Sequence, residues 1–360
     1  NRILYRGYDG AERIQKRVPF KPTLFVDGKG DWSTLEGKQV APLELDSMKD
    51  ATDFLKRYEN IDTVKIYGMN NMVHQFITYA FPNDINFDPN QIVVSTIDIE
   101  VASDQGFPEP DVANYPVISI CIKSSKEDYF RVWALGDYEP KDNEIYNKCE
   151  NELQLLDSFL KYWEKHGSPD VITGWNIQLY DIPYICKRLD RVLGEKLMKR
   201  FSPWGLVSEG EVHIMGRKHT TFDVGGVTQL DYLDLYKKFT YKAQESYRLD
   251  YIAKVELGQQ KLDHSEFDTF KEFYTKGWQK FIEYNIIDVE LVDRLESKMK
   301  LIELALTMAY EAKVNYNDVF YQVRMWDTII YNYLKKRNIV IPPKNRSEKN
   351  DKYAGAYVKL

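Results

Sequence analysis

The sequence offers few of the landmarks that usually declare a class. Its 360 residues hold three cysteines, Cys121, Cys149 and Cys186, each isolated. Single scattered thiols make neither a metal motif nor a disulfide framework, and they suit a reducing compartment. The five histidines show no metal-ligand spacing. No apolar run approaches the ~18 residues of a membrane helix. The opening stretch NRILYRGYDGAERIQKR is polar and has no signal-peptide plan. A net charge of −6 removes any global attraction for polyanions, so nucleic-acid binding must come from local basic patches. There is neither an internal repeat nor a low-complexity tract. What is present is a packed globular chain. Apolar residues at 43% and aromatics at 14% exclude disorder, and the length suffices for two or three domains.

Residues 1–90 read as a small mixed α/β scaffold. TLFV (23–26) is a strand, 47–58 is a helix capped by Ser47, and 63–67 and 74–80 are further strands or short helices. Residues 92–101, IVVSTIDIEV, form an apolar, β-branched central strand. Residues 116–123 and 129–135 alternate like its neighbours, and the Pro/Gly loop 105–110 brings Phe107 to the acidic strand end. An amphipathic helix over 150–166, a short strand over 170–173 and a helix from about 177 to 193 follow. A β-hairpin spans 211–225 with Gly216-Arg217 at its turn. Helices are predicted over 246–254, 277–298, 301–312 and 318–337, then a polar linker from Pro342 to 352. This order suits an α/β, RNase H-like mixed sheet flanked by helices.

The acids carry the chemistry. Asp98 and Glu100 are two apart on a strand, so they share a face. Paired carboxylates among apolar residues repel and are costly to desolvate, and a divalent cation relieves both. Taken alone, they could be a solvated strand end. Two more patterns follow: Asn176 to Asp181, where a strand runs into a helix, and Tyr284 to Asp288, which are i and i+4 on one helix face. Singly, Asp181 suits a helix start, Asn176 a cap, and Tyr284 with Asp288 an amphipathic pair. Together, four carboxylates from three elements match two-metal phosphoryl transfer, in which cations ~3.5–4 Å apart share carboxylate ligands. An all-oxygen set suits Mg²⁺, and the Tyr284 phenol is placed to orient the attacking water. Asp231 and Asp234 read as strand-end and helix-cap acids. The basic groups at 237–238, 335–337, 344 and 346 read as solvated faces, some touching phosphate.

The three acidic patterns resemble the Exo I, Exo II and Exo III motifs of the DEDDy 3′–5′ proofreading exonucleases. More closely, the chain resembles the amino-terminal part of family B replicative DNA polymerases from T-even-like phages. GWNIQLYDIPYI (174–185), MKRFSP (198–203), LDYLDLYKKF (230–239), YNIIDVE (284–290) and AGAYVKL (354–360) carry the likeness. It implies that Asp98, Glu100, Asp181 and Asp288 are metal ligands, with Mg²⁺ as cofactor and Mn²⁺ as a substitute. Tyr284 would orient the water. Phe107 would stack on the terminal base, and Asn176, Met215 and Arg217 would contact DNA, the last two on a hairpin that parts primer from template. Tyr180 stands where the family's second motif has Phe, and Gly216 where relatives carry an aromatic at the hairpin tip.

The expected organisation is an amino-terminal domain over 1–92 completed by 301–345, an exonuclease domain over 93–300, and the start of a palm over 346–360. Because the chain begins on Asn1 and ends mid-pattern, a fragment without polymerase activity is expected, its parent being a DNA-directed DNA polymerase. The implied partners are single-stranded or primer–template DNA and, through the parent, a sliding clamp. A monomer in the host bacterial cytoplasm, without membrane contact, is expected. Two rival readings are an RNA-binding regulator of the polymerase's own message, built on the amino-terminal unit, and a stand-alone editing nuclease.

Overall fold

The computed structural model describes residues 2–9, 12–59, 61, 63–85, 87–104, 106–166, 168–214, 216–259 and 266–342. Met215, the linker beyond Pro342 and the closing 354–360 stretch lie outside the described residues. The chain opens with a hairpin, β1 (Arg2–Asp9) and β2 (Glu12–Pro19), that sequence periodicity does not reveal. A three-stranded antiparallel sheet follows, ordered β4-β3-β5, from β3 (Thr23–Ser33), β4 (Gln39–Glu44) and β5 (Ile66–Tyr67). Helix α1 (Met48–Tyr58) starts where expected, with the Ser47 side chain accepting from Asp50 N. Helix α2 (Met72–Ala80) is capped by Asn71.

The central sheet has six strands: β6 (Val94–Val101), β7 (Val117–Ser124), β8 (Phe130–Ala134), β9 (Glu144–Lys148), β10 (Val171–Thr173) and β13 (Thr228–Gln229). Their order is β13-β10-β6-β7-β8-β9. The β13-β10-β6 run is parallel, β6-β7-β8 is antiparallel, and β9 returns parallel to β8. Helices α3 (Glu152–Lys165) and α4 (Asp181–Leu193) cover one face, burying Leu155, Phe159, Trp163, Ile185 and Leu189 against Ile97, Ile99 and Val101 of β6. The one-turn α5 (Glu195–Met198) follows α4. A second hairpin, β11 (Val207–Ile214) and β12 (Arg217–Val224), begins four residues earlier than its alternation suggests. Arg217 pairs with Ile214 in the ladder instead of forming the turn, while Gly216 takes φ +78°.

Helices α6 (Tyr232–Phe239), α7 (Leu249–Leu257), α8 (Phe270–Lys276), α9 (Trp278–Met299), α10 (Leu301–Ala312) and α11 (Gln322–Lys335) complete the described chain. Helix α9 lies on the sheet face opposite α3 and α4, packing Phe281, Ile282, Ile286 and Val289 against Ile118, Cys121 and Val132. The mixed sheet with helices on both faces is the RNase H-like architecture read from the sequence. Several boundaries differ: α7 runs Leu249–Leu257 instead of 246–254, and α11 runs Gln322–Lys335 instead of 318–337. Helix α4 starts at Asp181 instead of about Ile177: Asn176 takes φ +68°, the Asp231 carboxylate accepts from Asn176 N and Gln178 N, and Tyr180 leaves the helical region at φ −128°, ψ −73°.

The last described segment returns to the amino-terminal unit. Val340 packs with Phe25, Val40 and Tyr67, and Val340 N donates to Ser33 O. Buried His74 of α2 lies 2.9 Å from Asp318 through Nε2 and 2.9 Å from Thr328 of α11 through Nδ1. Arg324 also donates to Asp318, at 3.0 Å. Burial pushes the Asp318 carboxyl up, but His74 and Arg324 outweigh it and leave the group below its ordinary 3.8. A lowered carboxylate stabilises the fold fully above its unfolded pKa, about 4, and loses that contribution as pH falls from there through the lower folded-state value. Asp318→Asn should therefore cost about 3 kcal/mol near neutral pH. Denaturant melts of mutant and wild type should converge as the pH drops below about 4.

Candidate active site

The site is built on the end of β6. Its alternation sends Ile97, Ile99 and Val101 to the α3/α4 face and Asp98 and Glu100 to the α9 face. The β6–β7 ladder pairs Asp98 with Cys121 and Glu100 with Ser119, then shifts register between Glu100 and Val101. The extra residue is Ile118 of β7, beside the acid-bearing end of β6. Asp288 arrives from α9. Carboxylate oxygens of Asp98, Glu100 and Asp288 lie within 4.8 Å of one another. Such a set of hard oxygen donors fits a divalent cation.

Asp181 joins from the other side. It is the first residue of α4, only 3% exposed, and its Oδ1 accepts from Ile99 N at 3.1 Å, between the two β6 acids. It lies outside the 4.8 Å set but lines the same cleft. Burial pushes its carboxyl up to about 8, with Asp231 and Asp288 adding to the rise and the Ile99 hydrogen bond opposing it. A carboxyl so placed gains from positive charge in the cleft.

The turn before α4 is held by two devices. At Gly174 a Cβ would sit 2.4 Å from Ile97 O, so only glycine lets this turn close onto β6. Asp231 caps α6, accepting from Leu233 N, and also accepts from Asn176 N and Gln178 N, each at 3.0 Å. It is the helix-cap acid expected, with the added task of tying α6 to this turn. Burial pushes its carboxyl up to about 7, against the pull of those donors.

The cleft has a volume of about 900 Å³. Phe107, 68% exposed, leans on Tyr180 at its mouth with ring centroids 5.1 Å apart. Tyr284 lines it one helical turn before Asp288, its ring edge-on to Phe273. Asn176 also lines it. Arg217 does not: it heads β12, exposed on the second hairpin. Trp175, from the GWNIQLYDIPYI stretch, lines it as well, and so do Tyr247, Arg248, Tyr251 and Lys254, which lie outside the quoted motifs. Sequence reading also assigns no role to Asn285, whose Nδ2 donates to Asp98 Oδ2 at 2.6 Å. The available signal is its place three residues before Asp288, on the same helix face.

A family model for DNA polymerase family B, exonuclease domain, matches residues 56–252. The match takes in Asp98, Glu100 and Asp181 and ends before Tyr284 and Asp288. The DNA-directed DNA polymerases of Escherichia phage RB69 and Enterobacteria phage T4 are each 34% identical to the chain over 99% of its length. The chain spans 42% of each of those two proteins. The DNA polymerase catalytic subunit of human herpesvirus 7 is 25% identical over 73% of the chain and 27% of that protein. An exonuclease domain of this kind binds DNA and uses divalent metal, in keeping with the acidic set on β6 and α9. The chain belongs to the family B DNA polymerases and carries their 3′–5′ exonuclease domain.

Proposed function

We propose that this exonuclease proofreads for a replicative DNA-directed DNA polymerase, hydrolysing the 3′-terminal phosphodiester of single-stranded or frayed DNA and releasing nucleoside monophosphates. The observation that carries the reading is the convergence of Asp98 and Glu100 with Asp288, far apart in the chain, within 4.8 Å. Asp98, Glu100, Asp181 and Asp288 would hold two Mg²⁺ ions, with Mn²⁺ able to substitute. When bound, the ions supply charge stabilisation to the phosphoryl transition state and acidify the attacking water. The chain's own residues do the positioning. Tyr284 orients the water through its phenol. Phe107 stacks on the terminal base, and its exposed ring beside Tyr180 supports this. Asn176 meets the DNA end in the cleft, while Met215 and Arg217 act on the duplex side.

The same proposal divides the chain into an exonuclease unit over 93–300, an amino-terminal unit over 1–92 completed by 301–345, and a palm beginning at 346. The packing of Val340 with Phe25, Val40 and Tyr67 supports the split amino-terminal unit. The chain would act as a monomer in the host bacterial cytoplasm, with a sliding clamp reached through the rest of the polymerase. Among the described residues, no helix is long and apolar enough to cross a membrane. No observation favours the rival RNA-binding reading of the amino-terminal unit.

With 5′-labelled single-stranded DNA and Mg²⁺, the chain should shorten the strand from its 3′ end, and EDTA should stop it. Asp98→Ala should lower the rate about a thousandfold, the loss of several kcal/mol of charge stabilisation. Undiminished cleavage by that variant would refute the assignment. Tyr284→Phe keeps the ring and removes the hydroxyl. Single-turnover cleavage should slow by about tenfold to a hundredfold, with DNA affinity unchanged; an equal loss of affinity would instead make Tyr284 a binding residue.

A further inference from the structure

A buried amide stands behind the acidic set. Asn285 of α9 is fully enclosed. Its Nδ2 donates to Asp98 Oδ2 at 2.6 Å, and Ser119 Oγ donates to its Oδ1 at 2.7 Å. The orientation is forced by chemistry. An ionised carboxylate only accepts, so the amide nitrogen must face Asp98. The amide oxygen is then left to Ser119, itself fully buried, whose hydroxyl must donate.

The connections of this relay match the site. Ser119 is the ladder partner of Glu100. Asn285 shares a face of α9 with Asp288, three residues on. One chain of hydrogen bonds therefore links Asp98 to the element that carries Asp288 and to the strand position opposite Glu100. The chemistry of the amide also fits. A lysine or arginine here would pair with Asp98 and compete with a cation, whereas a neutral amide fixes the carboxylate and leaves its charge available.

We propose that Asn285 is a positioning residue for cation binding, the Ser119–Asn285–Asp98 relay pinning one Asp98 oxygen so that the carboxylate stays aimed into the cleft with Glu100 and Asp288. This rests on Asp98 being a cation ligand. Groups that orient metal ligands from behind typically contribute about ten- to a hundredfold in metal affinity.

The test is direct Mn²⁺ titration of the chain, with free Mn²⁺ followed by electron paramagnetic resonance, in wild type, Asn285→Ala and Ser119→Ala. Asn285→Ala should weaken Mn²⁺ binding about tenfold or more, and Ser119→Ala by a smaller factor. The Mg²⁺ concentration for half-maximal cleavage should rise in parallel while KM for DNA holds. If Asn285→Ala does not fold, as judged by circular dichroism, Ser119→Ala carries the test. Wild-type Mn²⁺ affinity in the folded variants would overturn the positioning role and leave the nuclease reading standing, even if their melting temperature in EDTA falls. A wild-type chain that binds no Mn²⁺ would overturn both.

Discussion

Mutual repulsion of carboxylates crowded at the end of one strand is the constraint around which this molecule is arranged. Asp98 and Glu100 are fixed on one face by the pleat of β6, and Asp288 is driven against them by the apolar packing of α9. Asp181 is drawn in by a backbone amide of the same strand. None of these acids would choose such company in water. The apolar faces beneath, Ile97, Ile99 and Val101 on one side and Phe281, Ile282 and Val289 on the other, supply the burial that holds them there. Neutral donors, the Asn285 amide and the Ile99 N–H, satisfy oxygens without cancelling charge.

How much of this is legible beforehand depends on what each element buries. Strand β6 is obvious from its β-branched run, and helices α9 and α10 are placed almost to the residue, because each buries a continuous apolar stripe. The hairpin β1–β2 and strand β9 are not, since apolar residues there, such as Ile3, Tyr5 and Val18 in the hairpin and Ile145 in β9, are interrupted by charged and polar ones and give no sustained alternation. The start of α4 is misjudged because the local sequence permits a helix from Ile177, while Tyr180 leaves the helical region at φ −128°, ψ −73° and Ile182 N donates to Ile177 O, five residues back, which breaks the regular ladder. The role of Asn285 is only half legible. The i, i+3 spacing in YNIID puts the amide on the face of Asp288, but its partner, Asp98, lies 187 positions away and is named only by the fold.

The amino-terminal hairpin meets the start of β10 through hydrogen bonds and ion pairs. Arg6 donates to Ser168 O, Pro169 O and Gly226 O, and Arg13 donates to Ser168 O and Asp170, while Tyr8 and Val93 N also bind Asp170. Two guanidinium groups crowd one carboxylate, and burial together with Arg13 pulls Arg6 down to about 10 despite Asp170. Carbonyl oxygens at the start of β10 absorb the excess positive charge. A junction of this kind fixes direction as well as contact, because each donor must meet its acceptor in line.

The separation of the acidic strand from the helix that completes it sets a schedule. Asp98 and its amide partner Asn285 are 187 positions apart. At ~5–20 residues per second, a ribosome needs roughly 10–40 s to travel from one to the other. Throughout that interval the emerging polypeptide displays two adjacent acids and no enclosed pocket. Assembly of the acidic set is thus a late event of biosynthesis, completed only when the closing helix leaves the exit tunnel.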